Sequence, residues 1–212
     1  RSKSTGTDGQ SFKLDTLQNT YDLCTPLLGE YQLRNAATAI IAVEVLANKN
    51  HSVSQQSIVD GIANVKWPAR MQFLRVGSTR VLLDGAHNPE SIKHLVIAVR
   101  QYFQFDKLIL LFGATRGHSM EGMLNELSSL SPLVVAVQSR HPKSESYKAV
   151  GESAGTAGLK MGFSSNDIAV ATRWALDLAT TSDLILATGS LSVPAEVIEE
   201  LEGIEPEMYP SI

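Results

Sequence analysis

The chain has 212 residues, of which 43% are hydrophobic and 19% charged, and its formal net charge at pH 7 is −4. This composition provides enough apolar residues for a hydrophobic core and excludes an intrinsically disordered chain. The negative charge argues against nucleic acid as a partner. The apolar runs are too short for a membrane span, which needs about 18 residues.

Cys24 is the only cysteine, so an internal disulfide is excluded, and no Cys/His spacing indicates structural zinc. One free thiol is typical of a reducing compartment, and we expect a cytoplasmic protein. The chain begins with Arg1 rather than Met, so we also expect that its N-terminus has been cut.

The first 66 residues predict a small mixed region. Residues 1–10 are polar and unpatterned, which predicts a linker, whereas 11–16 and 21–28 predict two strands of a hairpin. Residues 33–47 are apolar almost all round and predict a buried helix. A second helix is predicted after the N-cap candidates Ser52 and Ser54, with Ile58, Ile62 and Val65 on one face. Trp67-Pro68 ends this segment.

Residues 67–212 alternate between apolar strands and amphipathic helices. The predicted strands are 71–76 and 79–84, joined by a Gly-Ser turn, then 107–113, 132–138, 159–163 and 183–189. The predicted helices start near Asn88, Ser119, Ser146, Ser165 and Ser192. Nearly unbroken apolar strands that alternate with helices indicate a mostly parallel sheet covered on both faces. We therefore predict a doubly wound α/β domain over residues 67–212.

The carboxyl ends of the predicted parallel strands carry polar and titratable residues. Asp84, His87 and Asn88 follow the first, 113–119 the second, 138–141 the third and 188–192 the last. Ligands of open parallel sheets bind at this edge, so we predict a site there. Structural explanations remain open at each position: Asn88 before Pro89 is a good helix N-cap, Asp84 could cap a turn, and a lone His87 could face solvent.

Several common catalytic motifs are absent. GATRGHS (113–119) has only three residues between its glycines and no following lysine, so it is not a nucleotide P-loop, although its amides could hold an anion. No GxGxxG follows the first strand of the predicted domain, and no GxSxG elbow is present.

Four motifs together resemble a known family. LLGEYQLRNAATAI (27–40), WPARMQ (67–72), LLDGAHNP (82–89) and ATGSL (187–191) are similar in order and spacing to the folylpolyglutamate synthase and dihydrofolate synthase family of the Mur ligase superfamily. The resemblance covers about residues 11–202, and DGAHNP is its most specific part.

The resemblance implies an ATP-dependent amide ligase of which this chain is a part. Residues 1–66 resemble the C-terminal tail of the central ATP-binding domain, and 67–212 resemble the C-terminal glutamate-ligase domain. The phosphate loop and the Mg²⁺ ligands of such enzymes belong to an N-terminal ATPase domain that would be this chain's partner, and no metal ligand is expected here. The implied substrates are ATP, L-glutamate, and folate or dihydropteroate.

The resemblance also implies residue roles. Asn35 is expected near adenine, Arg70 at the ATP phosphates and Asp84 at the ribose hydroxyls. His87 and Asn88 are expected at the reaction centre. Ser190, Arg116 and His118 are expected to hold glutamate.

The chain departs from the family pattern at two places. Ala69 stands where the family usually has glycine, and TRGHS replaces a loop often written D-K-D. The role of that lysine is either unfilled or taken by Arg116. Two other hypotheses stay open: another Mur-superfamily ligase that acts on a different substrate, and a non-catalytic module that binds a nucleotide or acidic ligand.

Overall fold

The computed structural model of the chain describes residues 2–6, 9–47 and 53–209. The chain divides into two compact units, Arg1–Trp67 and Pro68–Ile212, and each contains its own hydrophobic core. In the described ranges, no helix is long and apolar enough to cross a lipid bilayer.

The first unit contains an antiparallel sheet and two helices. Its strands, in the order β1-β2-β3, are β1 (Ser2–Gly6), β2 (Gly9–Asp15) and β3 (Thr20–Thr25), and its helices are α1 (Glu30–Ala47) and α2 (Gln55–Ala63). The predicted hairpin is confirmed as β2 and β3. The linker predicted over residues 1–10 is wrong, because β1 pairs with β2. Main-chain pairing with a free strand edge requires no apolar side chains, so a polar segment can join the sheet.

The predicted helix over 33–47 is confirmed as α1, but the expectation that it is buried all round is wrong. Ile41, Val45 and Leu46 are each about half exposed, at 49%, 49% and 52%. Only one stripe of a helix can face a sheet, and here Ile40 packs with the β2–β3 side chains Phe12 and Leu23.

The start of α2 confirms one of its two predicted N-caps. The Ser54 hydroxyl accepts a hydrogen bond from the Ser57 amide at 3.1 Å. Ser52, the other candidate, lies outside the described residues, as does His51.

Glu44 of α1 connects the helix to the β2–β3 hairpin. Its Oε1 accepts hydrogen bonds from Thr16 Oγ1 at 3.0 Å, Asn19 Nδ2 at 2.9 Å and the Tyr21 hydroxyl at 2.9 Å. Burial alone raises the pKa of Glu44, but the hydrogen bonds from Asn19, Tyr21 and Thr16 outweigh it, and the pKa lies below its ordinary value. The carboxylate is therefore stabilised in its charged form.

The second unit is the predicted α/β domain. Its strands are β4 (Gln72–Val76), β5 (Thr79–Leu83), β6 (Leu108–Phe112), β7 (Leu133–Val137), β8 (Lys160–Ser165) and β9 (Leu184–Thr188). Its helices are α3 (Pro89–Tyr102), α4 (Met120–Ser128), α5 (Tyr147–Thr156), α6 (Ile168–Leu178) and α7 (Ser192–Glu202).

The sheet of this unit has the order β4-β5-β9-β6-β7-β8, and only the β4–β5 pair is antiparallel among its described strands. The predicted fold class, a mostly parallel α/β sheet, is thus confirmed. Strands β5, β9 and β6 are adjacent at the centre, so their carboxyl ends form one edge.

Both faces of the sheet are covered. Side chains of β5, β6, β7 and β9 pack against α6 and α7 on one face. On the other face, Gly151 of α5 lies against the Ala136 side chain, and α4 contacts both α3 and α5. At the edge strand β8, the register shifts so that Met161 and Phe163 pair with Val134 and Val135, which leaves Gly162 as a bulge.

The helix starts of this unit agree with the sequence except at α6. Helices begin directly after Asn88, Ser119 and Ser146, near which helix starts were predicted, and all three side chains are N-caps, as predicted for Asn88. Helix α6 was predicted to start near Ser165 but begins at Ile168, because the Asp167 carboxylate accepts from the Ala169 and Val170 amides and caps the helix there. Ser165 is instead the last residue of β8.

Candidate functional site

Three loops meet at the carboxyl ends of β5, β9 and β6. The Gly189 amide donates to the Ala86 carbonyl at 3.0 Å, and the Gly113 amide donates to the Thr188 carbonyl at 3.3 Å. These hydrogen bonds join the segments after β5, β9 and β6, which are three of the four that the sequence singled out.

Asp84 lies at the end of β5 and is only 4% exposed. Its Oδ1 accepts from the Ala86 amide and its Oδ2 from the Met71 amide, both at 2.9 Å. Burial raises the pKa of the Asp84 carboxyl above its ordinary value, although the two amides and the charges of Arg70 and His87 act in the opposite direction. Asp84 is therefore central to the site but offers little surface to a ligand.

Arg70 is exposed between two buried residues that adopt left-handed backbone conformations. Ala69 has φ 56° and Met71 has φ 46°, and their exposed fractions are 3% and 2%. Each such conformation costs a non-glycine residue about 1–2 kcal/mol. The loop is held because the Gly85 amide donates to the Ala69 carbonyl at 2.8 Å and Gln72 Oε1 accepts from the Ala69 amide at 2.9 Å.

The glycine that the family resemblance implies at position 69 would suit this geometry. Glycine adopts a left-handed backbone conformation without steric cost, whereas Ala69 in this chain carries the strain. Ala69 is held in this conformation by the hydrogen bonds of its carbonyl and amide.

His87 is exposed, and its Nδ1 lies 3.0 Å from the Gly85 carbonyl oxygen. A carbonyl can only accept, so Nδ1 donates to it, and Nε2 is the ring nitrogen that this hydrogen bond leaves unused. The ring of His118 lies edge-on to it, with centroids 5.3 Å apart. The loop after β6 thus places His118 beside His87.

Asn88 forms a capping box at the start of α3. Its Oδ1 accepts from the Ser91 amide at 2.8 Å, and Ser91 Oγ accepts from the Asn88 amide at 3.1 Å. The structural explanation for Asn88 is therefore correct, and its side-chain Nδ2 is the group available for any further role.

Ser190 follows β9 and is 3% exposed, with its Oγ 3.5 Å from Ser192 Oγ. The preceding Gly189 has φ 101°, and a β-carbon there would lie 2.6 Å from the Gly113 carbonyl and the Phe112 ring. The turn that places Ser190 at this edge therefore requires glycine.

Arg116 lies in the same loop as His118 but points its guanidinium elsewhere. It is exposed, its amide donates to the Lys143 carbonyl at 2.8 Å, and Nη2 lies 3.4 Å from the Pro142 carbonyl. Arg116 is thus associated with the loop after β7, while His118 is the residue of this loop that contacts His87.

Asn35 belongs to the first unit. It is exposed on α1, and its Nδ2 donates to Gln32 Oε1 at 3.0 Å within the helix. The structure therefore describes the contacts of Asn35 within α1 and does not test its expected role near adenine.

A charged cluster beside the site was missed by the sequence reasoning. The Arg140 amide donates to Glu196 Oε1 at 2.7 Å, and its guanidinium pairs with Glu196 and Glu199. Glu196 is 5% exposed. The sequence contained one indication of this cluster, because Glu196 falls between Val193 and Val197 on the apolar face of α7. The cluster ties the loop after β7 to that helix.

Comparison with known proteins identifies the domain. The profile of the family described as "Mur ligase, glutamate ligase domain" matches residues 69–191. The chain belongs to this family. Dihydrofolate synthase/folylpolyglutamate synthase of Bacillus subtilis (strain 168) is 24% identical over 196 residues, which cover 92% of this chain and 45% of that protein.

Solved structures of Mur ligase relatives also match this chain. Folylpolyglutamate synthase of Mycobacterium tuberculosis, complexed with ADP and AMPPCP, matches with a TM-score of 0.79 and 26% identity over 98% of this chain and 48% of that chain. E. coli FolC in complex with DHPP and ADP matches with a TM-score of 0.77 and 26% identity, covering 94% and 45%. The chain thus spans about half the length of these relatives, and the resemblance to the folylpolyglutamate synthase family is confirmed.

The part matched to the Mur ligase glutamate ligase domain contains all the predicted site residues except Asn35. In the part of the chain that the structure describes, no group of three or more His, Cys, Asp or Glu side chains could hold a metal ion. The chemistry that this Mur ligase domain offers at its strand ends is therefore an arginine, a buried carboxylate and two imidazoles.

Proposed function

We propose that this chain is the C-terminal part of an ATP-dependent folate:L-glutamate ligase, a folylpolyglutamate synthase, a dihydrofolate synthase or both. The observation that carries the proposal is the cluster of Arg70, Asp84 and His87 at the strand ends of a Mur ligase glutamate ligase domain. The names of the relatives support the folate branch. The N-terminal ATPase domain would supply the phosphate loop and the Mg²⁺ ligands.

The proposed reaction has two steps. A carboxylate oxygen of folate or dihydropteroate attacks the γ-phosphorus of ATP, which releases ADP and leaves an acyl phosphate. The glutamate nitrogen then attacks the acyl carbon, loses a proton and displaces inorganic phosphate. Positioning and charge stabilisation supply most of the rate enhancement in such transfers.

Arg70 is proposed to contact the ATP phosphates. It is exposed on a strained loop, and its planar fork of donors suits phosphate oxygens. Asp84 is proposed to accept from the ribose hydroxyls and Asn35 to lie near adenine, as the family resemblance implies.

His87 is proposed to act at the second step. A glutamate amine must be neutral to attack, and His87 Nε2, which the hydrogen bond to Gly85 leaves unused, is proposed as the proton acceptor. Asn88 is proposed to assist through Nδ2, because its Oδ1 is already engaged with Ser91. His118, Arg116 and Ser190 are proposed to hold the glutamate carboxylates, and His118 is best placed because its ring contacts His87.

The test is ATP- and glutamate-dependent elongation of a folate by the full-length protein. Arg70→Ala should lower kcat/KM for ATP about tenfold or more, since a contact to developing phosphate charge is lost. Arg75→Ala is the matched control: Arg75 is an exposed arginine of the same unit whose guanidinium lies 5.5 Å from the Phe73 ring centroid, away from the strand ends. Equal kinetics in the Arg70 variant and the wild type would contradict the assignment.

A substrate panel separates this proposal from the alternatives. A different Mur-superfamily ligase would consume ATP with another acceptor and amino acid but not with folate and glutamate. A non-catalytic module would bind nucleotide without forming ADP under any combination.

A further inference from the structure

Two hydrogen bonds connect the loop that carries Arg70 to Asp84 and to its neighbour Gly85. The Met71 amide donates to Asp84 Oδ2 at 2.9 Å, and the amide of the next residue after Asp84, Gly85, donates to the Ala69 carbonyl at 2.8 Å. The two left-handed residues that flank Arg70 are thus each tied to the end of β5. We call the pair of hydrogen bonds the Arg70 latch.

The latch requires a carboxylate. The second oxygen, Oδ1, is occupied by the Ala86 amide at 2.9 Å, so both oxygens face backbone donors. A carboxylate is an acceptor at both atoms, whereas an asparagine side chain would turn an NH₂ group toward one of the two amides. Asp84 is 4% exposed, so water has little access to replace a lost acceptor.

The latch determines where the arginine lies. Residues with a positive φ persist only when their surroundings hold them, and here both of the residues adjacent to Arg70 have that conformation. The Arg70 and Asp84 charges also interact. A released loop would relax toward ordinary φ values and move the guanidinium away from the strand ends.

Accepting the proposed role of Arg70 at the ATP phosphates, we infer that Asp84 is a positioning residue: through the Arg70 latch, its buried carboxylate holds the strained Ala69–Met71 loop and sets the position of the arginine. This role is distinct from the ribose contact that the family resemblance implies, because it acts within the protein and through Arg70.

The first test is hydrogen exchange of the full-length protein without ligands. In Asp84→Asn, exchange of the Met71 amide should accelerate at least tenfold, while amides in the centre of β6 should not change. Unchanged exchange at Met71 overturns the inference, and this readout does not depend on ligase activity.

The second test is rescue. Ala69→Gly removes the steric cost of a left-handed residue, so the double variant Ala69→Gly/Asp84→Asn should recover a severalfold part of the kcat/KM for ATP that Asp84→Asn loses. Ser131→Gly is the matched control, because Ser131 also has φ 49° but lies between α4 and β7. Equal rescue by Ser131→Gly, or none by Ala69→Gly, contradicts the latch.

The third test separates the latch from a ribose contact. If Asp84 acts through Arg70, Asp84→Asn should lower kcat/KM much less in an Arg70→Ala background than in the wild type. Full additivity of the two changes would show that Asp84 acts independently of Arg70, and it would overturn the inference while leaving the ligase proposal intact.

A second variant covers the case in which Asp84→Asn does not fold. Gln72→Ala removes the acceptor of the Ala69 amide and opens the loop from its other side without changing Asp84. It should accelerate exchange at Ala69 and lower kcat/KM for ATP severalfold, and unchanged values of both overturn the inference.

Discussion

At the scale of single residues, the turn before Ser190 depends on a glycine at position 189. Its φ of 101° is rarely adopted by other residues, and an added β-carbon would lie 2.6 Å from the Gly113 carbonyl and from the Phe112 ring. The carbonyl belongs to the backbone and cannot rotate away. Strain and overlap therefore act at the same position.

Gly189→Ala should lower the free energy of unfolding by about 2–5 kcal/mol, the sum of a left-handed alanine and an overpacked contact. Gly77→Ala is the matched control, since Gly77 has φ 58° and nothing within 4 Å of the added β-carbon. It should lose only about 1–2 kcal/mol. Urea unfolding followed by circular dichroism measures both, and equal losses would show that the overlap is relieved.

Part of the site could be predicted from single residues. Asp84 and His87 could be placed because they directly follow an apolar strand, whose end is a common ligand edge. The left-handed conformations of Ala69 and Met71 could not, since neither residue type favours them and only tertiary hydrogen bonds stabilise them.

At the scale of elements, Glu44 stabilises the packing of α1 on its hairpin. The carboxylate accepts three hydrogen bonds, two of them from Asn19 and Tyr21. Its pKa lies below the ordinary value because these donors outweigh the effect of burial. A depressed carboxyl pKa means that the unfolded chain binds the proton more tightly than the folded protein does.

The stability of the first unit should therefore fall with acid through Glu44. The contribution is complete above the ordinary glutamate pKa of 4.5 and is lost as pH falls below it toward the folded pKa. Hydrogen exchange of α1 amides at pH 6 and at pH 3.5 measures this loss. In Glu44→Gln the protection should be lower at pH 6 and should change less with pH, and an identical pH dependence in both proteins would contradict the assignment.

Elements were predicted well where local chemistry determines them and poorly where pairing does. Asn88, Ser119 and Ser146 each cap the first turn of the helix that follows them, so the sequence predicts the helix starts near these residues. Strand β1 depends on a partner edge, and the exposed side of α1 depends on what covers it, so periodicity could predict neither.

At the scale of the whole molecule, the second unit has a core of its own. Val135, Val137 and Ala171 are fully buried between the sheet and α6, and the latch and cap hydrogen bonds of the site join residues between 69 and 91. A separate core is the usual condition for independent folding.

Residues 68–212 should therefore fold alone. We expect cooperative thermal unfolding and the same amide protection in β5, β6 and β9 as in the full chain. A broad, non-cooperative transition, or loss of protection in β5 alone, would show that the first unit supports the sheet.

The bulge at Gly162 has a consequence for association. An edge strand exposes a row of unpaired amides and carbonyls that another chain can extend, and a bulge interrupts that row. Strand β8 is six residues long and carries the exposed Lys160, and Gly162 breaks its register with β7. Strand β8 therefore offers another chain only a short, interrupted edge for pairing.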